Sequence, residues 1–178
     1  MKNDDLLKVI KSRVARMAVG ASAVRGRGHT GTVQAAREFL LQRVDLEAFG
    51  TSDENTFAVR LNRTTRALLK ALPRPAQHWG LARKVLNLFL LDCFYNTYLN
   101  EAFHLSRAEQ FFELPLDSIT GTQLSKAASG KTLPPWPGVK HLTPDVAELF
   151  QTKAADEARQ KNIARVHLDA LWWSAGRD

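Results

Sequence analysis

The stretch Leu81-Ala-Arg-Lys-Val-Leu-Asn-Leu-Phe-Leu-Leu-Asp-Cys-Phe-Tyr-Asn-Thr-Tyr-Leu99 is the most apolar part of this 178-residue chain. Apolar residues occupy nearly every side of the helix that this stretch predicts, and a helix of that kind is buried by its neighbours. We therefore expect it to be the central helix of the fold. A connector from Pro73 to Gly80 leads into it, because Pro73 and Pro75 end the preceding helix.

Helical periodicity also marks the segments on both sides of this centre. Before it, we predict three helices: Asp5 to Val19, Thr32 to near Gly50, and a third from a cap at Thr51, Ser52 or Asp53 to Pro73. After it, we predict a short helix that a capping box of Ser106 with Glu109 begins and that ends near Glu113, and another short helix through Leu124. A helix from Thr143 toward Asn162 and a segment from Arg165 to Trp173, helical or extended, follow. The fold class is therefore predicted as all-α, an orthogonal helical bundle in one domain, residues 1–178.

Charge favours a polyanionic partner. The chain has 25 Lys and Arg against 18 Asp and Glu, a formal net charge of +7, and such an excess attracts phosphate backbones. Nucleic acid is the first partner to consider, although many proteins are basic without a specific partner. No apolar stretch approaches the ~20 residues that span a bilayer, and the charged N-terminus does not resemble a signal peptide, so we expect no membrane and a cytoplasmic location.

Metal sites and cofactors are not expected. Cys93 is the only cysteine, which excludes an intrachain disulfide and a thiolate-held zinc site. The five histidines are scattered, and His167 with Asp169 would face different sides of a helix unless the local chain is extended. We therefore predict no metal and no cofactor.

The start of the central helix is suited to anions. Its first backbone N–H groups are positive, and Gly80, Arg83 and Lys84 lie there. A helix, a connector and a second helix that begins with glycine is how helix-hairpin-helix modules present backbone amides to a DNA phosphate. Nucleic-acid binding is therefore assigned to these residues: Gly80, Arg83, Arg63, Arg66, Arg25 and Arg27. The alternative for the arginines is a solvated surface and, around Arg25 and Arg27, a mobile connector.

The segments Gly80-Leu-Ala-Arg-Lys-Val-Leu-Asn-Leu-Phe-Leu90 and Leu114-Pro-Leu-Asp-Ser118 together resemble the helix-hairpin-helix DNA glycosylase superfamily. The likeness is to its lysine-bearing branch, which includes 8-oxoguanine DNA glycosylases and endonuclease III. It implies a helix-hairpin-helix core at about residues 64–124. It also implies that Lys84 attacks the sugar carbon bearing a damaged base to give a Schiff base, and that Asp117 stabilises positive charge on the sugar.

The chemistry of the two residue types agrees with these roles. A lysine is a nucleophile only when its amine is deprotonated, which partial burial beside Arg83 would favour, and a carboxylate stabilises an oxocarbenium-like sugar. The structural alternatives are a lysine whose stem covers the core and an aspartate that caps the helix after it. Lys84 and Asp117 are thus the predicted catalytic pair.

A base-excising enzyme must also hold an extruded base against a flat surface. Trp79, at the connector, and Trp136, in the loop Pro134-Pro-Trp-Pro137, are the base-stacking candidates, with core packing as their alternative. The sequence therefore predicts a DNA glycosylase, possessing AP-lyase activity if Lys84 is the nucleophile, with 8-oxoguanine as the first substrate to test. The competing interpretations are a non-catalytic helix-hairpin-helix protein that binds nucleic acid, and a helical protein-interaction module.

Overall fold

The computed structural model describes residues 3–20, 30–128 and 133–175, and these residues confirm the prediction of an all-α chain. They form helices and contain no strand. The eight α-helices are α1 Asn3–Ala18, α2 Thr32–Arg43, α3 Glu54–Ala71, α4 Trp79–Tyr95, α5 Thr97–Phe103, α6 Ser118–Ala127, α7 Pro144–Gln160 and α8 Leu168–Ala175. Four 3₁₀ segments accompany them: Glu47–Phe49, Arg74–Ala76, Leu105–Phe111 and Arg165–His167. None of the described helices is long and apolar enough to cross a membrane.

The helix α4 is the centre of the fold, as predicted. Of its 17 residues 11 are buried, and it packs against α1, α2, α3, α5 and α7. It ends at Tyr95 rather than at Leu99, because the backbone of Asn96 is extended. The Asn96 side chain accepts a hydrogen bond from the Leu99 N–H and so caps α5 instead.

Two clusters of buried apolar side chains form the core. The larger one contains residues from all five helices α1 through α5 and includes Leu68, Leu86 and Phe89. The smaller one joins α6, α7 and α8 and includes Leu124 and Phe150. The boundary between the clusters therefore runs between α4 and the helices α6 and α8.

The second helix is shorter than its sequence predicts. We expected it to reach the neighbourhood of Gly50, but α2 ends at Arg43, and Val44 is extended. Lys11 of α1 donates hydrogen bonds to the carbonyl oxygens of Leu41, at 3.1 Å, and Val44, at 2.6 Å. Since carbonyl groups at a helix end lack partners within the helix, this lysine stabilises the early termination.

Local capping signals predict two helix starts correctly and a third wrongly. Asp53 caps α3 by accepting the Thr56 N–H, and Thr143 caps α7 ahead of Pro144. The capping box expected for Ser106 and Glu109 does not form. The Ser106 N–H instead donates to the Asn100 side chain, and the Glu109 carboxylate pairs with His167. A 3₁₀ segment stands in place of the predicted helix.

A candidate catalytic site between α4, α6 and α8

The predicted catalytic pair meets at the boundary between the two apolar clusters. Lys84 lies in the second turn of α4, and its Nζ is 3.7 Å from Oδ2 of Asp117, the residue that precedes α6. The two side chains are 11% and 27% exposed, so the pair is sheltered while one side stays open to solvent. The fold thus brings together two groups that are far apart in the sequence.

Asp117 is both a cap and half of this ion pair. Its Oδ1 accepts hydrogen bonds from the N–H groups of Ile119, at 2.8 Å, and Thr120, at 3.1 Å. The Asp117 N–H in turn donates to the Thr120 hydroxyl, which completes a capping box. The cap fixes one carboxylate oxygen and leaves the other facing Lys84, so the structural alternative and the catalytic prediction are compatible.

A second acidic residue of this site was not predicted from the sequence. Asp169 lies in the first turn of α8, half-buried and within electrostatic range of Lys84 and Asp117. Burial raises the pKa of Asp169 to about 6, the charges of Asp117 and Asp92 add to the effect, and Lys84 opposes it. One feature of the sequence marks this residue, because Asp169 is the acidic residue in the first turn of an apolar C-terminal helix.

Asp92 extends the acidic side of the site along α4. It lies eight residues beyond Lys84 on the same helix, about 80° further around the helix axis, and its charge acts on Asp169. Burial raises the pKa of Asp92 to about 6. The carboxylates of Asp117 and Asp169 therefore lie near Lys84, in contrast to the arginine neighbour that the sequence suggested.

A hydrogen-bonded chain of three side chains borders Asp169. The Tyr95 hydroxyl lies 2.8 Å from Nδ1 of His167, and Nε2 of His167 lies 2.8 Å from Oε1 of Glu109. The rings of Tyr95 and His167 also stack. This chain connects the end of α4 to the segment before α8, and it fixes the direction in which α8 begins.

Arg83, which the sequence assigns to nucleic-acid binding, lies in a buried polar network. Its guanidinium forms an ion pair with Glu113 at 2.8 Å and also donates to Thr65 and Asn62. The side chain is 10% exposed, and Asn87 binds the same carboxylate. Arg83 therefore points away from solvent into a buried polar network, and it is not the neighbour that was expected to favour a free Lys84 amine.

Gly80 has a packing role at the start of α4. A Cβ on this residue would collide with the Val139 carbonyl oxygen and would lie 2.8 Å from Cβ of Leu142. The loop before α7 thus covers the glycine, which is buried. The prediction that Gly80 presents its amide to a phosphate finds no support in this arrangement.

The two tryptophans chosen as base-stacking candidates are both engaged within the protein. The guanidinium of Arg83 lies 5.3 Å from the centre of the Trp79 ring. Trp79 also lines an open pocket of about 370 Å³ with Phe57 and Arg165, on the Arg83 side of α4. The Trp136 ring packs on Gly121, where a Cβ would collide with it, and meets Phe150 edge to face at 5.1 Å. Core packing, the alternative stated above, therefore describes Trp136.

The remaining predicted binding residues divide by location. Arg63 and Arg66 are exposed on α3, where a phosphate could reach them. Arg25 and Arg27 lie outside the described residues.

Within the described part of the chain, no group of three or more His, Cys, Asp or Glu side chains has the arrangement of a metal site. No family model, curated protein or solved structure matches this chain.

Proposed function

We propose that this chain is a DNA base-excision glycosylase with AP-lyase activity, in which Lys84 is the nucleophile. The observation that carries the proposal is the approach of the Lys84 amine to the Asp117 carboxylate at 3.7 Å across the boundary between α4 and α6. A sequence likeness supplied these two residues, and nothing in a short motif requires them to meet. Lysine amines form Schiff bases with carbonyl carbons in covalent catalysis, and the Asp117 carboxylate beside this amine can stabilise positive charge that develops on a bound sugar.

The proposed chemistry uses each group once. The deprotonated Lys84 amine attacks the sugar carbon C1′, the bond to the damaged base breaks, and the base leaves with the bonding electrons and one of the two amine protons. The C1′–O4′ bond then breaks, O4′ takes the other amine proton to become a hydroxyl group, and the nitrogen lone pair forms the C1′=N bond of a Schiff base, which becomes positive by taking a proton from water. The Asp117 carboxylate, held by its two backbone hydrogen bonds, stabilises the positive charge that develops on the sugar.

DNA is the proposed substrate because the chain is basic and exposes two arginines of α3 that could bind the phosphate backbone. The net charge is +7, and the exposed Arg63 and Arg66 are available for phosphate contacts. We further propose that α3, its connector and α4 act as a helix-hairpin-helix element that contacts the duplex through the arginines of α3, rather than through the buried Gly80, and positions it beside Lys84. Among damaged bases, 8-oxoguanine is the first to test, because the sequence resembles that branch of the superfamily.

The test is borohydride trapping on duplexes that each carry a single lesion. Reduction of a Schiff base gives a stable covalent adduct, which peptide mass spectrometry can assign to a lysine. We expect an adduct at Lys84 that is lost in Lys84→Ala. Lys153→Ala is the matched control, because Lys153 is also partly buried and ion-paired, with Glu157 at 2.7 Å, but lies on α7.

The other outcomes separate the competing functions. If no lesion gives an adduct or a released base while salt-sensitive DNA binding persists, the protein is a nucleic-acid-binding module rather than an enzyme. If DNA binding is also absent at low salt, a protein-interaction module is the better account. An adduct that persists in Lys84→Ala would assign the chemistry to another lysine and contradict the proposed site.

A further inference from the structure

We propose that Asp169 is the base that removes the sugar C2′ proton in the strand-cleaving step at this site. The inference rests on the proposed function and assigns to the lyase step a residue that the sequence likeness does not include. Its starting point is the position of Asp169, at the beginning of α8 where that helix packs on α6.

Several contacts locate this carboxylate. Leu168, its neighbour, is fully buried in the same cluster as Leu116, the neighbour of Asp117. Two residues before Asp169, His167 is held by the Tyr95 hydroxyl and the Glu109 carboxylate. These contacts hold the residues just before Asp169, and its carboxylate lies within electrostatic range of four groups: Lys84, Asp92, Tyr95 and Asp117.

Asp117 is poorly suited to proton transfer because its oxygens are already occupied. Oδ1 accepts two backbone N–H groups, and Oδ2 faces the Lys84 amine. Either oxygen could approach a proton of the sugar only by giving up one of these contacts. The same interactions suit a fixed negative charge, which is the role assigned to Asp117 in base excision.

Asp169 has the opposite environment. Burial and the charges of Asp117 and Asp92 disfavour its ionised form, and its pKa of about 6 lies close to working pH. A carboxyl group of this kind exchanges protons readily, since general acids and bases act best when their pKa is near the operating pH. Two carboxyl groups in contrasting environments at one site commonly have different roles, one as a fixed negative charge and the other as an acid or base.

The elimination step balances with the residues present. When C1′ is bound to Lys84 as a Schiff base, the positive nitrogen acidifies the C2′–H bond. The Asp169 carboxylate takes that proton, the C2′–H electrons form a double bond between C2′ and C3′, and the C3′–O bond breaks. The phosphate leaves with that electron pair, and Asp169 releases its proton to water. No oxidant or reductant takes part.

The experiment measures trapping and strand cleavage separately on a duplex that carries one abasic site, under single-turnover conditions. We expect Asp169→Asn to lower the ratio of cleaved strand to borohydride-trapped adduct by about 100-fold, the contribution typical of a positioned general base. Asp169→Glu, which keeps a carboxylate, should recover part of the loss. Asp156→Asn is the control, because Asp156 is an exposed aspartate of α7 that pairs with Arg159.

The pH dependence provides a readout that a purely structural role would not change. In the unsubstituted protein, the ratio of cleavage to trapping should fall as pH drops through about 6, because Asp169 becomes protonated. That dependence should be absent in Asp169→Asn. Four other titratable groups lie within electrostatic range of Asp169 and are retained in this variant: Lys84, Asp92, Asp117 and Tyr95.

The possible failures are distinguishable. An unchanged cleavage-to-trapping ratio in Asp169→Asn, with an adduct still formed, would overturn the role of Asp169 and leave the glycosylase proposal intact. An equal loss of trapping and cleavage in both Asp169→Asn and Asp169→Glu would also overturn it, because the residue would then act before elimination. If the unsubstituted protein forms no adduct at Lys84, the proposed function fails first, and this inference fails with it.

Discussion

Asp117 caps α6 with one carboxylate oxygen and faces the Lys84 amine, 3.7 Å away, with the other. The two contacts connect the apolar cluster around α4 to the cluster formed by α6, α7 and α8. Substitution can separate the capping role of Asp117 from the role of its charge, because asparagine retains a capping oxygen and removes the charge.

We predict that Asp117→Asn separates stability from activity. Both Asp117→Asn and Asp117→Ala remove the charge that pairs with Lys84, but asparagine caps helices about as well as aspartate, so the free energy of unfolding should fall by about 1 kcal/mol less in Asp117→Asn than in Asp117→Ala. Both variants should reduce adduct formation by at least about 100-fold, because the charge is gone. Denaturant unfolding and borohydride trapping measure the two effects. Trapping at the unsubstituted rate in Asp117→Asn would show that the charge is dispensable.

The sequence predicted those features that depend on neighbouring residues. The apolar stretch identified α4, and the caps Asp53 and Thr143 marked the starts of α3 and α7. A capping residue and its partner lie within one turn, so their types and spacing are enough to identify them. The end of α4 was misplaced because Asn96 begins a new helix within an otherwise continuous apolar pattern.

The sequence could not predict which distant groups would compete for a side chain. Arg83 stands beside Lys84 in the sequence, but Glu113 draws its guanidinium into a buried network. Glu109 likewise binds His167 rather than capping a helix. Asp169 lies near Lys84 and Asp117 because α8 packs on α6. Such contacts depend on the tertiary fold, and local spacing does not encode them.

We predict that Arg83 stabilises the fold and that Arg63 does not. Arg83→Met leaves Glu113 buried without its cationic partner, which should lower the free energy of unfolding by about 3 to 5 kcal/mol. The control Arg63→Met removes an exposed arginine and should change stability by less than about 0.5 kcal/mol. Thermal and denaturant unfolding measure both. The double variant Arg83→Met with Glu113→Leu should recover part of the loss, and failure to recover any would mean that packing, rather than the unpaired charge, is responsible.

We predict that Gly80→Ala is destabilising. The added Cβ would collide with the Val139 carbonyl oxygen, and backbone on both sides limits how far either segment can move. Overpacking of this kind typically lowers the free energy of unfolding by about 1 to 3 kcal/mol. Thermal unfolding tests the prediction. An unchanged melting temperature combined with weaker DNA binding would instead restore the phosphate-contact role that the sequence first suggested for Gly80.

The pair of acidic residues beside Lys84 should make stability depend on pH. Burial raises the pKa of Asp92 in the folded state from 3.8 to about 6. Between these values the folded protein holds a proton that the unfolded chain has lost, so the stability contribution of Asp92 falls as pH rises and is lowest above about 6. Because a partly exposed group is screened by solvent, we take the penalty at pH 7 as about 1 to 2 kcal/mol.

We therefore predict that Asp92→Asn stabilises the protein by about that amount at pH 7 and by little at pH 4, where the carboxyl group of the folded protein is protonated and carries no buried charge. Denaturant unfolding across this range measures the difference, with the exposed Asp156→Asn as a control that should show no such trend. Because the Asp92 charge also raises the pKa of Asp169, the same variant should move the acid limb of strand cleavage to lower pH. Stabilisation that is equal at pH 4 and pH 7 would show that altered packing, rather than removal of a buried charge, explains the gain.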